Sequence, residues 1–373
     1  MADLVASASR PSTDRQGAGG SGRPHLVSGP ATGLLSAALV VALAMALVVG
    51  ISIGSVNLPL GQVWGVVWAH LSGRGAQADP TLGQIVWEIR TPRALLAALA
   101  GAGLSVAGVA LQALVRNPLA DPYVLGVSSA ASLGAVLVPV LGGTGLAGLT
   151  GALGITGAAF ASALLSALLV YALAQRAGRL LDSWLVLSGV AVGYLCAAGT
   201  TFAQLQLNPT ELQGMMFWLM GSVAGASWGD LGVPALLIVI CVAWLSFQAR
   251  ALNTLLAGED AAIAMGVPVA AQRIGLLMVG SLVTATVVSV VGGIGFIGLM
   301  VPHMARFVVG GDHRRVLPVS MLAGALFLVL VDLAARIADR PNELPVGIFT
   351  TGLGVPFFLW LLRRRAYGRS DAP

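Results

Sequence analysis

Lysine is absent from this chain: all 20 basic residues are arginine. A Walker A loop holds nucleotide phosphates with a lysine, and a Schiff-base pump carries its chromophore on one. Neither can be built here, so any ATP-driven process must take its hydrolysis from another chain. Cysteine is scarce as well. Cys196 and Cys241 lie in apolar runs with no Cys-x-x-Cys pair and no histidine nearby, and they read as packing residues rather than a disulfide or metal site. Charge of either sign is thin, at 9% of residues against about 25% in an ordinary soluble domain. An ion-coupled carrier needs ionisable groups inside its bundle. Of the 15 acids only Asp332 is embedded in an apolar run, and Arg336 stands one turn later on the same helical face. The pair reads as a structural ion pair. A proton relay through Asp332, and with it a secondary transporter, is the alternative from a different class.

What the chain has is apolar length. Hydrophobic residues make up 57% of it, and the mean hydropathy is +0.89. Runs of about 20 apolar residues mark spanning helices. Ten occur, at 34–54, 93–114, 123–142, 146–173, 183–205, 229–248, 274–293, 294–310, 316–338 and 346–362. They are continuous and rich in Ala, Leu and Gly, so the predicted fold is an all-α integral membrane bundle of ten transmembrane helices rather than a barrel. The eighth run is short and holds Gly295, Gly298 and Pro302, which suits a re-entrant segment. Arginine placement argues for counting it. With ten spans and the N-terminus inside, 15 of the 20 arginines are cytoplasmic, and omitting the eighth would carry the Arg314–Arg315 and Arg363–Arg365 clusters outside. Both termini are then cytoplasmic. Residues 1–32, rich in Ser, Gly, Pro and Arg, read as a disordered cytoplasmic tail, residues 33–366 as the membrane domain, and 367–373 as a C-terminal tail. The first run lacks a clear small-residue cleavage site and reads as a retained span. The net charge of +5 is mostly topology, spread over separate loops, and implies no nucleic-acid partner.

"LLAGEDAAIAMGVPV", Leu255 to Val269, lies between the sixth and seventh spans and is too short to cross. Gly258 offers a turn, Glu259 and Asp260 sit where a helix dipole favours acids, and Gly266 with Pro268 stops the run. A short cytoplasmic helix follows, at about 257–267. Its alanines, with Ile263 and Met265, would form an apolar patch in water, which suggests docking. Acids facing an anionic leaflet favour a protein partner over lipid. His303 and Arg306 in "VPHMAR" share a face near a cytoplasmic helix end and read as a polar cluster rather than metal ligands. In "GAGLSVAG" and "TTGLGVPFF", Gly101, Gly103, Gly108, Gly352 and Gly354 allow close helix approach.

Five stretches together carry a resemblance. They are "IRTPRALLAALAGAGLSVAGVALQALVRNPLADPYVLGVSSAASLGA" (89–135), "FWLMGSVAGASW" (217–228), "LLAGEDAAIAMGV" (255–267), "GGIGFIGLMVPHMARFVVGGDHRRVLP" (292–318) and "NELPVGIFTTGLGVPFFLWLL" (342–362). In order, from about residue 34 to 366, they resemble the FecCD-type permeases, membrane subunits of bacterial importers for iron-siderophores, haem and cobalamin. The resemblance implies a type II importer in the bacterial inner membrane: a dimer of ten-helix permeases, a homodimer or a pair with a second permease, with two separate ABC ATPase subunits and a substrate-binding protein. ATP and Mg would sit on the ATPase, no cofactor is implied in this chain, and this chain would carry no covalent chemistry. It implies that Gly258, Glu259, Ala261, Ala262 and Gly266 form the coupling helix against the ATPase. It implies that Arg90, Arg93 and Arg336 meet carboxylates of the binding protein. "RNPLADP", with Arg116, Asn117 and Asp121, is a family marker read as a structural turn, touching the gate. The expected cargo is an iron chelate, a ferric siderophore or haem, with cobalamin third.

Overall fold

The structure is a computed structural model that describes residues 29–54, 58–75, 79–142, 147–176, 179–340 and 342–367. In chain order its helices are α1 (Gly29–Ser52), α2 (Leu60–Leu71), α3 (Pro80–Gly83), α4 (Thr91–Leu114), α5 (Val127–Gly142), α6 (Ala147–Ala174) and α7 (Asp182–Gln204). There follow α8 (Pro209–Leu219), α9 (Gly232–Leu255), α10 (Glu259–Ala264), α11 (Val269–Val291), α12 (Ile297–Val309), α13 (His313–Ile337) and α14 (Val346–Tyr367). Each of the ten apolar runs contains a helix. Eight helices among the described residues are long and apolar enough to cross a membrane, and α5 and α12 are the two shorter apolar ones. Among the described residues the strands are those of a two-residue-per-strand pair, β1 (Gln175–Arg176) and β2 (Arg179–Leu180), between α6 and α7. The expected tail at 1–32 lies outside the described residues except for its last four, which already belong to α1. Of the C-terminal tail at 367–373, only Tyr367 is described, as the end of α14.

Exposure runs opposite to that of a soluble protein. Leu165, Leu195 and Phe247 are 67%, 70% and 85% exposed, the pattern of an outer face solvated by lipid chains. The interior is built around α4. Its most apolar stretch is 83% buried, against 17% for α1 and 28% for α7. Small residues make this possible. A Cβ on Gly101 would lie 2.1 Å from the Gly324 carbonyl of α13, and one on Gly108 would lie 1.9 Å from the Gly298 carbonyl of α12. No side chain fits at either place, so the backbones themselves are in contact. These glycines thus serve tight packing.

The short eighth run has a physical explanation. α12 has 13 residues, or about 20 Å of helix, less than a hydrocarbon core of about 30 Å. It begins within the bundle, where Gly298 meets Leu104 and Gly108 of α4, after an irregular Gly292–Phe296 stretch. That stretch is fixed by Tyr123, whose hydroxyl donates to the Ile294 carbonyl (2.9 Å) and accepts from the Ile294 amide (2.8 Å). Irregular backbone at such depth persists only when protein groups satisfy it, as here.

Helix ends sort the polar groups into two places. The C-terminal ends of α4 and α9 and the N-terminal ends of α7 and α11 gather around α10. The end of α1, the turn before α4 and the end of α13 gather at the far end.

Candidate functional site

α10 forms where the sequence demands it. Gly258 precedes it with φ +108° and Gly266 follows with φ +78°, both in the region that favours glycine. The helix is a single defined unit of six residues, Glu259–Ala264. Ala262 points into the bundle and is fully buried, whereas Ile263 and Met265 are 57% and 56% exposed. Asp260 is exposed and Ala261 half-buried. The Ile263 and Met265 side chains form an exposed apolar edge beside the two acids of the helix, Glu259 and Asp260.

Glu259 faces the other way, into a set of charges. Its Oε1 accepts from Arg273 Nη1 at 2.9 Å and lies 3.5 Å from Arg116 Nη2. Arg116 Nη2 also donates to Asp182 Oδ2 at 3.0 Å, and Arg273 Nη2 pairs with Asp182 Oδ1. Among the described residues, two arginines and two carboxylates alternate around the ring. It links the end of α4 with the starts of α7, α10 and α11. Arg273 is its buried member, with a side chain 10% exposed, and Arg116 its outer one at 43%. The hydrogen bond to Asp182 is the main cause holding the Arg116 guanidinium above its ordinary value. Beside the ring opens a cleft of about 630 Å³ lined by Tyr171, Gln175, Leu180, Asp260 and Ile263.

The 116–122 segment divides in two. Asn117 and Asp121 make the turn: Asn117 Oδ1 accepts from the Leu119 amide (3.0 Å), and Asp121 Oδ1 from the Tyr123 amide (2.8 Å). Burial pushes the Asp121 carboxyl up to about 6, against the opposing pull of that amide. Arg116 is a different case from the turn residue expected. It takes φ +53°, costly for a residue with a Cβ, and its side chain leaves the turn for the ring. On α12, His303 is buried with its ring edge-on to Phe307 at 4.6 Å. Arg306 pairs instead with the Gln112 Oε1 of α4, whose Nε2 donates to the Gly298 and Leu299 carbonyls at 3.2 Å. Both residues are interior groups, and no cluster of three or more His, Cys, Asp or Glu suited to a metal occurs among the described residues.

At the far end stand Arg90, Arg93 and Arg336, which the resemblance implies meet carboxylates of a binding protein; in this chain they are 5%, 5% and 2% exposed. Buried guanidiniums need internal partners, and these have them. Arg93 donates to Asp332 Oδ1 (Nε 3.0 Å, Nη2 2.9 Å) and to Glu343 Oε2 (2.6 Å). Arg336 lies 3.0 Å from Asp332 and donates to the Gly50 and Ile53 carbonyls. Arg90 donates to the carbonyls of Ile51 and Ser52. The Asp332–Arg336 pair predicted from i, i+4 spacing is present, enlarged by Arg93 and Glu343.

Residues 40–364 match the sequence model of the FecCD transport family. The chain belongs to this family. A relative from Halobacterium salinarum, named a cobalamin import system permease protein, is 46% identical over 75% of this chain and 74% of its own. An ABC transporter permease of Bacillus subtilis named as uncharacterised is 40% identical over 88% and 93% of the two chains. A solved ABC transporter assigned to the metal-chelate type, in an inward-facing conformation, superposes with a TM-score of 0.74 at 30% identity, covering 89% of this chain and 99% of that one. The FecCD protein described here is accordingly an ABC importer permease subunit, a multi-span membrane protein that works with partner subunits.

Sequence reasoning about this FecCD chain found Glu259 and Arg116 but missed Asp182, Arg273, Gln112 and Glu343. A signal existed. With so few acids in the chain, Asp182 at the head of one span and Arg273 near the head of another were candidates for pairing with any charge at the same end.

Proposed function

We propose that this permease moves a large metal chelate inward across the bacterial cytoplasmic membrane by alternating access. The observation that carries the reading is α10: a short helix seated by buried Ala262 and by Glu259, with Ile263 and Met265 left as an apolar edge for a partner. That edge, with Gly258, Glu259, Ala261, Ala262 and Gly266, docks on an ATPase subunit that binds ATP and Mg on its own chain. α10 and both termini face the cytoplasm, consistent with the arginine distribution. Two copies pair around the pathway and two ATPases drive it. A binding protein docks over the far end. His303, Arg306 and the Asn117–Asp121 turn hold the inner end of the pathway.

For the cargo, a corrinoid such as cobalamin is favoured over the iron chelate expected from the sequence. The support is the 46% identity to a permease that carries the cobalamin name. The deciding experiment is ATP-driven uptake in proteoliposomes holding this chain with its neighbouring ATPase and binding protein. Cobalamin, haem and a ferric siderophore are compared. Cobalamin accumulation is expected. Accumulation of haem or the siderophore alone would overturn the cargo and keep the importer, and uptake that ignores ATP but follows a proton gradient would overturn the importer.

A further inference from the structure

The ring of Arg116, Asp182, Arg273 and Glu259 connects α10 to a helix with which it is not contiguous in sequence. α10 is continuous with α9 and α11, so displacement of α10 reaches those two through the backbone. α7 is reached differently. Its first residue, Asp182, is gripped by both arginines, which in turn grip Glu259.

α7 lies nearer the edge of the bundle than α4 and α11, the other long helices at the ring. The most apolar stretches of α4 and α11 are 83% and 67% buried, and that of α7 only 28%. α4 is locked by backbone contact at Gly101 and Gly108. α7 follows the two-stranded hairpin and borders the cleft of about 630 Å³, which leaves room at its N-terminal end. Of the helices joined at the ring, α4 and α11 lie deeper in the bundle, and α7 lies nearer its edge with a close approach of its own at Gly189, where a Cβ would lie 2.2 Å from the Val124 carbonyl.

We infer that the ring is the joint that carries movement of α10 to α7, with Asp182 and Arg273 as positioning residues for coupling. The inference rests on α10 being the ATPase-docking helix. In the joint, Arg273 is the pivot, since it is the buried member and pairs with both carboxylates. Arg116 closes the ring from α4. Neutralising Asp182 releases α7 yet leaves Glu259 on both arginines, so the docking edge keeps its seat.

The test uses the full chain reconstituted with its ATPase and binding protein, and reads three quantities: ATPase retained on purification, ATP hydrolysed, and cargo moved per ATP. Asp182→Asn should retain the ATPase and hydrolyse ATP, while cargo per ATP falls about fivefold or more, the usual scale of coupling between sites. Asp182→Glu, which keeps the charge, should restore the ratio. A purely structural role for Asp182 would lower protein yield without moving the ratio. In a double-mutant cycle, Glu259→Gln with Asp182→Asn should lose no more than the worse single variant, because residues of one network are not additive. Wild-type cargo per ATP in Asp182→Asn, or losses that multiply in the double variant, would overturn the joint. If Asp182→Asn cannot be purified, Arg116→Gln, at the exposed side of the ring, is read by the same ratio. Unaltered ATPase retention by Ile263→Asp would instead strike the docking reading, which separates the two failures.

Discussion

Two carboxylates set the chemistry at the scale of single residues, in opposite ways. Asp332 is 1% exposed and serves Arg93 and Arg336 together. Removing one partner of a buried ionic cluster strands the others, at a cost of about 3–5 kcal/mol. Asp332→Asn should therefore lower the thermal midpoint in detergent sharply, whereas a variant of exposed Asp260 should leave it unchanged. A transport loss in Asp332→Asn without any drop in the midpoint would revive the proton-relay alternative. Asp121 costs stability instead. Its carboxyl ionises at about 6 in the fold and near 3.9 in an unfolded chain. Between those values the folded state binds more protons, so this residue's contribution to stability declines as pH rises from about 4 to about 6 and stays low above. Asp121→Asn keeps an oxygen for the Tyr123 amide and removes the penalty. The variant should gain ~1–3 kcal/mol on wild type at pH 7 and nothing at pH 4. Equal midpoints at both pH values would show that Asp121 ionises normally.

Among the elements, α10 and α12 show how far a sequence can be read. α10 was legible because its boundaries are local chemistry: Gly258 and Gly266 are the only residue type comfortable at φ +108° and +78°. Gly258→Ala should distort α10 and weaken ATPase retention, while the midpoint of the whole chain moves little, because so small an exposed helix contributes little to the core. An unchanged ATPase affinity would mean that the turn is not needed. α12 was legible as an apolar run with glycines but not as a helix starting inside the bundle, since that depth is set by Tyr123 and by α4, more than 170 residues away in the chain. Gly108→Ala tests it: a methyl group 1.9 Å from the Gly298 carbonyl must push α12 away, at about 1–3 kcal/mol. The arginines at 90, 93 and 336 illustrate the limit. Their number and end of the bundle follow from sequence, but whether a guanidinium faces out or in depends on carboxylates from Asp332 and Glu343 that only the packing brings to Arg93.

Over the whole molecule, composition decided most. Scarce charge and long apolar runs suffice for a ten-helix membrane bundle, because lipid imposes the same rule on every span. The orientation is testable directly. With Cys196 and Cys241 replaced by alanine, Met265→Cys should react with a membrane-impermeant maleimide from the cytoplasmic side alone. Reaction from outside would invert the topology and place α10 away from any ATPase. What composition leaves open is which helices sit at the centre, and the burial contrast between α4 and α7 supplies it.

The central position of α4 bears on how the protein is made. Arg93, at its head, waits for Asp332, 239 residues later in the chain, and the face around Gly101 and Gly108 waits for α12 and α13. During synthesis this helix must lodge in the bilayer with its guanidinium unanswered and its small-residue groove filled by lipid. The core therefore closes only when the chain is almost complete. Nascent chains stopped before α13 should remain open to quality-control proteases, and those stopped after it should not.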